Sequence, residues 1–114
     1  MSEGKERISM EDYDKLDFRV GTVLTVKLNR KSRYAAYVMS IDFGALGVKK
    51  TSSKITGLYP PEDLIGRQII CCVNVPPVYI GSVKSEVRVI AVESAHGTIL
   101  ALPERPADNG DIVT

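Results

Sequence analysis

Eight basic side chains fall into close groups along the chain: Arg30, Lys31 and Arg33; Lys49, Lys50 and Lys54; Lys84; and Arg88. Clustered Lys and Arg are the residue types that meet phosphate oxygens, as point charges or as guanidinium forks. Short polar side chains beside them, here Ser53 and Ser85, let a backbone approach a ligand closely. Tyr37 offers a ring for a nucleobase to stack on, worth ~1–3 kcal/mol, or it is a half-buried barrel tyrosine. From Phe18 to Val92 the chain carries 11 Lys/Arg against four acids, a net +7; the flanks carry four against ten, a net −6, which gives the overall +1. A basic centre between acidic ends suggests a surface that meets an anion, with nucleic acid the leading candidate. The same charges also read as solvated strand faces, and charge alone does not choose.

Three polar residues near this set behave differently. Asn74 interrupts an apolar strand end, so its amide needs a partner if buried. Ser85 can donate or accept at the start of the next strand. Glu86 repels phosphate, so it fits better as an acceptor from backbone amides, from a nearby Lys or Arg, or from a ribose hydroxyl. Two roles stay open for Ser85 and Glu86: pinning a loop to the fold, or touching RNA or a peptide amide. Between Asn74 and Lys84, the run Pro76, Pro77, Val78, Tyr79 and Ile80 is a candidate wall for an apolar groove or a contact between two copies of the chain.

Catalysis finds little support in the residue types present. The single histidine, His96, precedes Gly97 in a predicted turn, and no Cys/His group has metal-ligand spacing. Ser85 lacks a nucleophile signature, and no glycine-rich loop is spaced to cradle phosphates. The expectation is a binding protein, not an enzyme, with no cofactor and no metal.

These residues must be positioned by one core. The chain has 114 residues, 44% hydrophobic, 25% charged and only 6% aromatic, which fits a single domain with one core. No apolar run reaches the ~18 residues of a membrane span, so no membrane partner is expected. The polar start MSEGKERISMEDYDK is unlike a signal peptide. Cys71 and Cys72 are adjacent and point to opposite faces of a strand, which suits a reducing cytoplasm.

The elements read mostly as strands. Ser9 followed by Asp12 resembles a capping box, and Met10, Tyr13 and Leu16 share helical spacing, so a short helix is expected through Leu16. A period-two pattern over Phe18–Leu28 predicts a long strand able to curl, with Gly21 as its bend or bulge. Asn29–Arg33 is a basic turn, followed by predicted strands over Tyr34–Phe43 and Val48–Ser53. Pro61–Ile65 suits one helical turn with Pro at its first position. Arg67–Val75 reads as a strand buried on both faces, and Glu86–Val92 as a fifth strand after a proline-broken loop. His96-Gly97 is a turn before Thr98–Leu102, and Asn109-Gly110 a turn before a last strand at Asp111–Val113. Short strands without βαβ alternation, and with a small helix between the third and fourth, predict an all-β fold. The expected architecture is a five-stranded Greek-key barrel of the OB type, with a short N-terminal helix and C-terminal strand extensions. Residues 1–16 would form the N-terminal extension and 17–114 the barrel domain.

Five motifs in order carry a family resemblance: LDFRVGTVLTV at 16–26, YVMSIDFG at 37–44, KKTSSKIT at 49–56, YPPEDLIGRQIICCVNVPP at 59–77 and IGSVKSEVRVIAV at 80–92. Together they resemble the tRNA-binding domain that ends some methionyl-tRNA synthetases and occurs in endothelial monocyte-activating polypeptides. The match is closest to the small stand-alone CsaA form, described as a dimeric, export-related chaperone. The resemblance implies an OB fold, a homodimer, and binding to the outside of folded tRNA with little sequence reading. The chain departs from that pattern at Arg30–Ala36, where relatives often have a proline-containing stretch. Lys54 stands where an amide is frequent, and Lys84 where an aliphatic residue is frequent; both changes favour an anionic partner. The expectation is a cytoplasmic homodimer that binds tRNA or other structured RNA. The alternative is a chaperone that holds unfolded or secretory polypeptides.

Overall fold

The computed structural model describes residues 3–114. Its elements run α1 Met10–Tyr13, β1 Phe18–Leu28, β2 Tyr37–Asp42, β3 Val48–Ser53, α2 Pro61–Leu64, β4 Gln68–Cys72, β5 Val78–Ile80, β6 Val83–Ser85, β7 Arg88–Val89, β8 Ala91–Ser94 and β9 Gly97–Leu100. The architecture is the all-β, OB-like barrel that the strand pattern predicts. One antiparallel sheet has the order β3-β2-β1-β4-β7, and β5-β6 and β8-β9 form two hairpins beside it.

The 11 residues of β1 are shared between two sides of the barrel. Phe18 to Thr22 pair with β4, from Phe18↔Cys72 to Thr22↔Gln68. Thr22 to Leu28 pair with β2, ending at Leu28↔Tyr37. The register slips between Val23 and Thr25, so the bulge falls at Leu24 and not at the expected Gly21. Gly21 has a different job. A Cβ there would lie 2.6 Å from Ile41 Cγ2 and 2.7 Å from Phe43 Cε1, so the bare backbone lets β1 close onto the core.

That core is built from alternate strand residues. Val23, Met39, Ile41, Phe43, Ile69, Cys71 and Val87 are buried together. Helix α2 adds Leu64, fully buried, as a plug, and burying a leucine stabilises by ~1.5–3 kcal/mol. Pro61 at the helix start removes an N–H that would have no partner, and Gly66 at φ +84° turns the chain into β4.

Several boundaries differ from expectation. Helix α1 is capped as predicted, Ser9 Oγ accepting from the Asp12 N–H at 3.0 Å, but its four residues stop short of Leu16. None of them is buried and the last turn carries no basic residue, so neither packing nor the helix dipole extends it. The fourth strand is shorter than Arg67–Val75 because Asn74 turns aside to bond the N-terminal segment. The expected strand Glu86–Val92 is divided. Ser85 ends the β5–β6 hairpin, Arg88 and Val89 pair with β4, and Ala91 leaves to pair with Leu100. At the C-terminus, residues 110–113 lie along β1: Gly110 N–H donates to Val20 O at 2.7 Å, and Val113 N–H to Phe18 O at 2.9 Å.

Candidate nucleic-acid interface

The barrel closes through one backbone bond and a set of side-chain bonds. β3 has no strand ladder on its free edge, and residues 85–87 lie there instead. The Glu86 N–H donates to Lys50 O at 2.8 Å, and Glu86 Oε1 accepts from the Lys50 N–H at 3.3 Å. Thr51 Oγ1 donates to Val87 O at 2.9 Å. That uses the only proton on the Thr51 hydroxyl, so Ser85, 3.1 Å away, donates to Thr51. Ser85 Oγ in turn accepts from the Ser52 N–H at 3.1 Å. Lys84-Ser85-Glu86 therefore starts no core strand; Ser85 and Glu86 seal the seam between β3 and the segment leading to β7.

A groove of about 880 Å³ opens over this seam. Its walls are the β5–β6 hairpin, the turn after β1, the end of β3 and residues 87–93. Asn29 is buried and ties three of these pieces. Its Nδ2 donates to Ser52 Oγ and to Ile80 O, each at 3.0 Å, and its Oδ1 accepts from the Lys31 N–H at 3.3 Å. Gly81, at φ +63°, lets the hairpin tip sit on the Lys31 backbone; a Cβ there would lie 2.8 Å from Lys31 O. Buried amide bonds of this kind are costly to break.

The groove collects some of the sequence candidates and leaves out others. Lys31, Arg33, Lys54 and Arg88 line it, with Glu93 as the opposing acid. Among the described residues none of these four cations is held in an ion pair. Ser53, Ser85, Pro76, Val78, Tyr79 and Ile80 also line it. Arg30, Lys49, Lys50, Lys84, Glu86 and Pro77 do not. Lys49 and Lys50 are adjacent in β3, so strand alternation sends them to opposite faces; Lys84 stands across the hairpin from Tyr79.

Two candidates need correction. Tyr37 is buried, and its hydroxyl donates to Tyr59 O at 2.8 Å, so it offers no face for stacking. It packs inward because it shares strand parity with Met39, Ile41 and Phe43. Asn74 is a clamp on the N-terminal segment: its Oδ1 accepts from the Asp17 N–H at 3.0 Å, and its Nδ2 donates to Lys15 O at 2.6 Å. Among the groove-lining residues that were not foreseen are Glu93, Tyr34, Thr51 and Ser52, and the anchoring role of the buried Asn29 was not foreseen either. Tyr34 had a readable signal, an aromatic residue directly after the basic run Arg30–Arg33.

Neither cysteine lines the groove, although both lie in β4 opposite its residues Arg88 and Val89. Burial, and secondarily the neighbouring Cys72, push the Cys71 thiol up to about 12, so it carries almost no thiolate at neutral pH. Among the described residues no His/Cys/Asp/Glu group could hold a metal ion, and no helix is long and apolar enough to cross a membrane.

The family model described as "Putative tRNA binding domain" matches residues 18–111, a span that contains all nine strands and the groove-lining residues. The chain belongs to this tRNA-binding domain family. It is 32% identical over 113 residues to a methionine–tRNA ligase of Methanococcoides burtonii, covering 96% of this chain and 16% of the ligase. The chain thus spans about one sixth of the length of the curated relatives it matches. The solved structure of a chaperone CsaA from Bacillus anthracis is 40% identical, with a TM-score of 0.90, over 96% of this chain and all of that one. The CsaA chaperone protein from Picrophilus torridus is 34% identical, with a TM-score of 0.91, over 95% of this chain and all of that one. The chain is therefore similar, along its whole fold, to both of these short proteins.

Proposed function

We propose that this protein binds tRNA-like structured RNA as a homodimer, through the groove over the barrel seam and largely without sequence readout. The observation that carries the reading is the convergence of Lys31, Arg33, Lys54 and Arg88, free of ion pairs among the described residues, on one groove of a tRNA-binding domain. Phosphate oxygens are the acceptors such a set would meet, with Ser53 a short polar neighbour. Lys49, Lys50, Lys84 and Arg30 add to the surrounding positive field, which steers an RNA towards the groove. No catalytic role is assigned. Two grooves on one dimer would engage a single RNA with a raised effective concentration. Self-association is supported by the exposed apolar residues Met10, Tyr13 and Leu16 along the N-terminal segment. The unpaired Cys71 and Cys72 support a reducing, cytoplasmic setting.

A second reading has its own support. Val78 and Tyr79 on the groove wall are 54% and 73% exposed, and the two similar short proteins are described as chaperones. Apolar wall residues of this kind suit an unfolded polypeptide.

Titration of tRNA and of an unfolded polypeptide at two salt concentrations separates the readings. RNA binding should weaken steeply with salt, each phosphate met by a cation contributing ~0.7–0.9 to the logarithmic slope. Lys31→Ala, Lys54→Ala and Arg88→Ala should each flatten that slope. Unchanged tRNA affinity in all three would sink the groove assignment. Polypeptide binding without any tRNA binding at low salt would leave the chaperone reading standing alone. Sedimentation as a monomer at micromolar concentration would remove the dimer.

A further inference from the structure

Tyr34 is a groove residue that phosphate binding does not explain. It is 61% exposed at the lip. Arg33 Cζ lies 6.0 Å from its ring centroid and Lys54 Nζ 5.1 Å. These two cations come from different segments, the turn after β1 and the end of β3. A ring left this open gains little from burial, and cation–π contacts at exposed sites are weak. Folding alone gives a poor account of the arrangement.

We propose that Tyr34 is a stacking platform for one unpaired nucleobase, so that the groove takes a single-stranded end or loop of an RNA. This rests on the RNA-binding reading of the groove and names the part of the RNA that enters it. In an A-form duplex the base faces are covered by their neighbours, so only an unpaired base can lie on an exposed ring. Arg33 and Lys54 lie over the ring in the free protein; once they yield a face to a base, these flexible side chains are within reach of the phosphates of the stacked nucleotide, and Lys31 and Arg88 extend the positive track in the same groove. The size agrees. A groove of about 880 Å³ is on the scale of small-molecule sites, ~300–1,000 Å³, and suits a short strand better than a helix. The platform is also held in place before any ligand arrives. The Tyr34 N–H donates to Ser32 Oγ at 3.3 Å, the Ser32 N–H donates to Asn29 O at 3.2 Å, and Asn29 is anchored to Ser52 and Ile80. Preorganisation of this kind lowers the ordering cost of binding.

The test titrates the full chain against a short labelled unpaired RNA and against the same strand annealed to its complement, read by fluorescence anisotropy at low salt. The unpaired strand should bind more tightly. Tyr34→Ala should weaken it about 5- to 150-fold, the equivalent of ~1–3 kcal/mol for one stacked base, and Tyr34→Phe should restore it. Tyr34→Trp should show indole emission quenched as unpaired RNA saturates the site. Three results overturn the proposal while the phosphate groove stands: no loss in Tyr34→Ala, equal losses for strand and duplex, or no quenching in Tyr34→Trp at saturation, in each case with Lys31→Ala and Lys54→Ala still weakening RNA binding. If the unaltered protein binds neither RNA at low salt, the RNA-binding reading falls and the platform with it.

Discussion

Ser85→Ala discriminates between a side chain that touches a ligand and one that closes a barrel. The Ser85 hydroxyl is buried, accepts from the Ser52 N–H and donates to Thr51 Oγ1. Alanine leaves the Ser52 N–H without this acceptor at the seam, at ~1–3 kcal/mol for an unsatisfied group. Thr51 loses less, because its own proton stays on Val87 O, and removing the bond to it adds ~0.5–1 kcal/mol. The expected destabilisation is ~2–3 kcal/mol. For a domain of this size each kcal/mol shifts the midpoint by ~3–6 °C, so thermal unfolding followed by circular dichroism should move down by about 6–18 °C. A companion tRNA titration, well below the new midpoint, should show a small change beside that of Lys54→Ala. An unchanged melting temperature together with a large loss of RNA affinity would refute the seam role and make Ser85 a contact residue.

Further outcomes follow from other parts of the fold. Asn29→Ala removes both donors that hold Ser52 and Ile80; amide exchange across Val78–Ser85 should speed up, while exchange in β1 and β4 stays protected. Gly21→Ala places a methyl against Ile41 and Phe43, an overpacking cost of ~1–3 kcal/mol in a denaturant titration. Cys71 ordinarily titrates near 9.0 and is raised to about 12 in the fold. The unfolded chain therefore loses this proton first, so the stability is complete below about pH 9 and declines as pH rises towards the folded value, by at most ~1.4 kcal/mol per pH unit. Denaturant midpoints from about pH 9 to about 12, the window between the two values, should fall less steeply in Cys71→Ala than in the unaltered chain; parallel curves would show that Cys71 is not the group responsible.

The parts of this fold that were legible in sequence are those where one strand carries its own pattern. The apolar alternation in Phe18–Leu28 marks one long strand, though its burial changes parity at the bulge, where Val23 is buried and Leu24 exposed, and Pro61 and Gly66 bracket α2 with unambiguous backbone chemistry. The same parity rule also held information about the site. Residues 37, 39, 41 and 43 share one face, which places Tyr37 with Met39 and Ile41 in the core, and Lys49 and Lys50 cannot face one ligand together. The β5–β6 hairpin was not legible, because three-residue strands beside Pro76, Pro77 and Gly81 have no period to read. The bulge at Leu24 was hidden for a related reason: glycine marks both bends and close approaches, and only the packing of Ile41 and Phe43 on Gly21 distinguishes them.

The seam explains why polar residues sit beside core positions between Lys84 and Val89. Val87 is buried among the core residues, while the residues before it must join a strand edge that has no regular ladder partner. A hydroxyl and a carboxylate can bond backbone groups where strand pairing fails: Glu86 accepts from the Lys50 N–H and Ser85 from the Ser52 N–H, and Ser85 also bonds the Thr51 hydroxyl. Thr51, Ser52 and Ser85 also form the groove surface. Binding surface and barrel closure therefore share atoms, so a ligand resting on both sides of the seam favours the closed barrel over any opened form. Coupling of that kind requires only that the ligand bind the closed state better. It gives the polar seam a role in both the stability of the domain and the shape it presents to a partner.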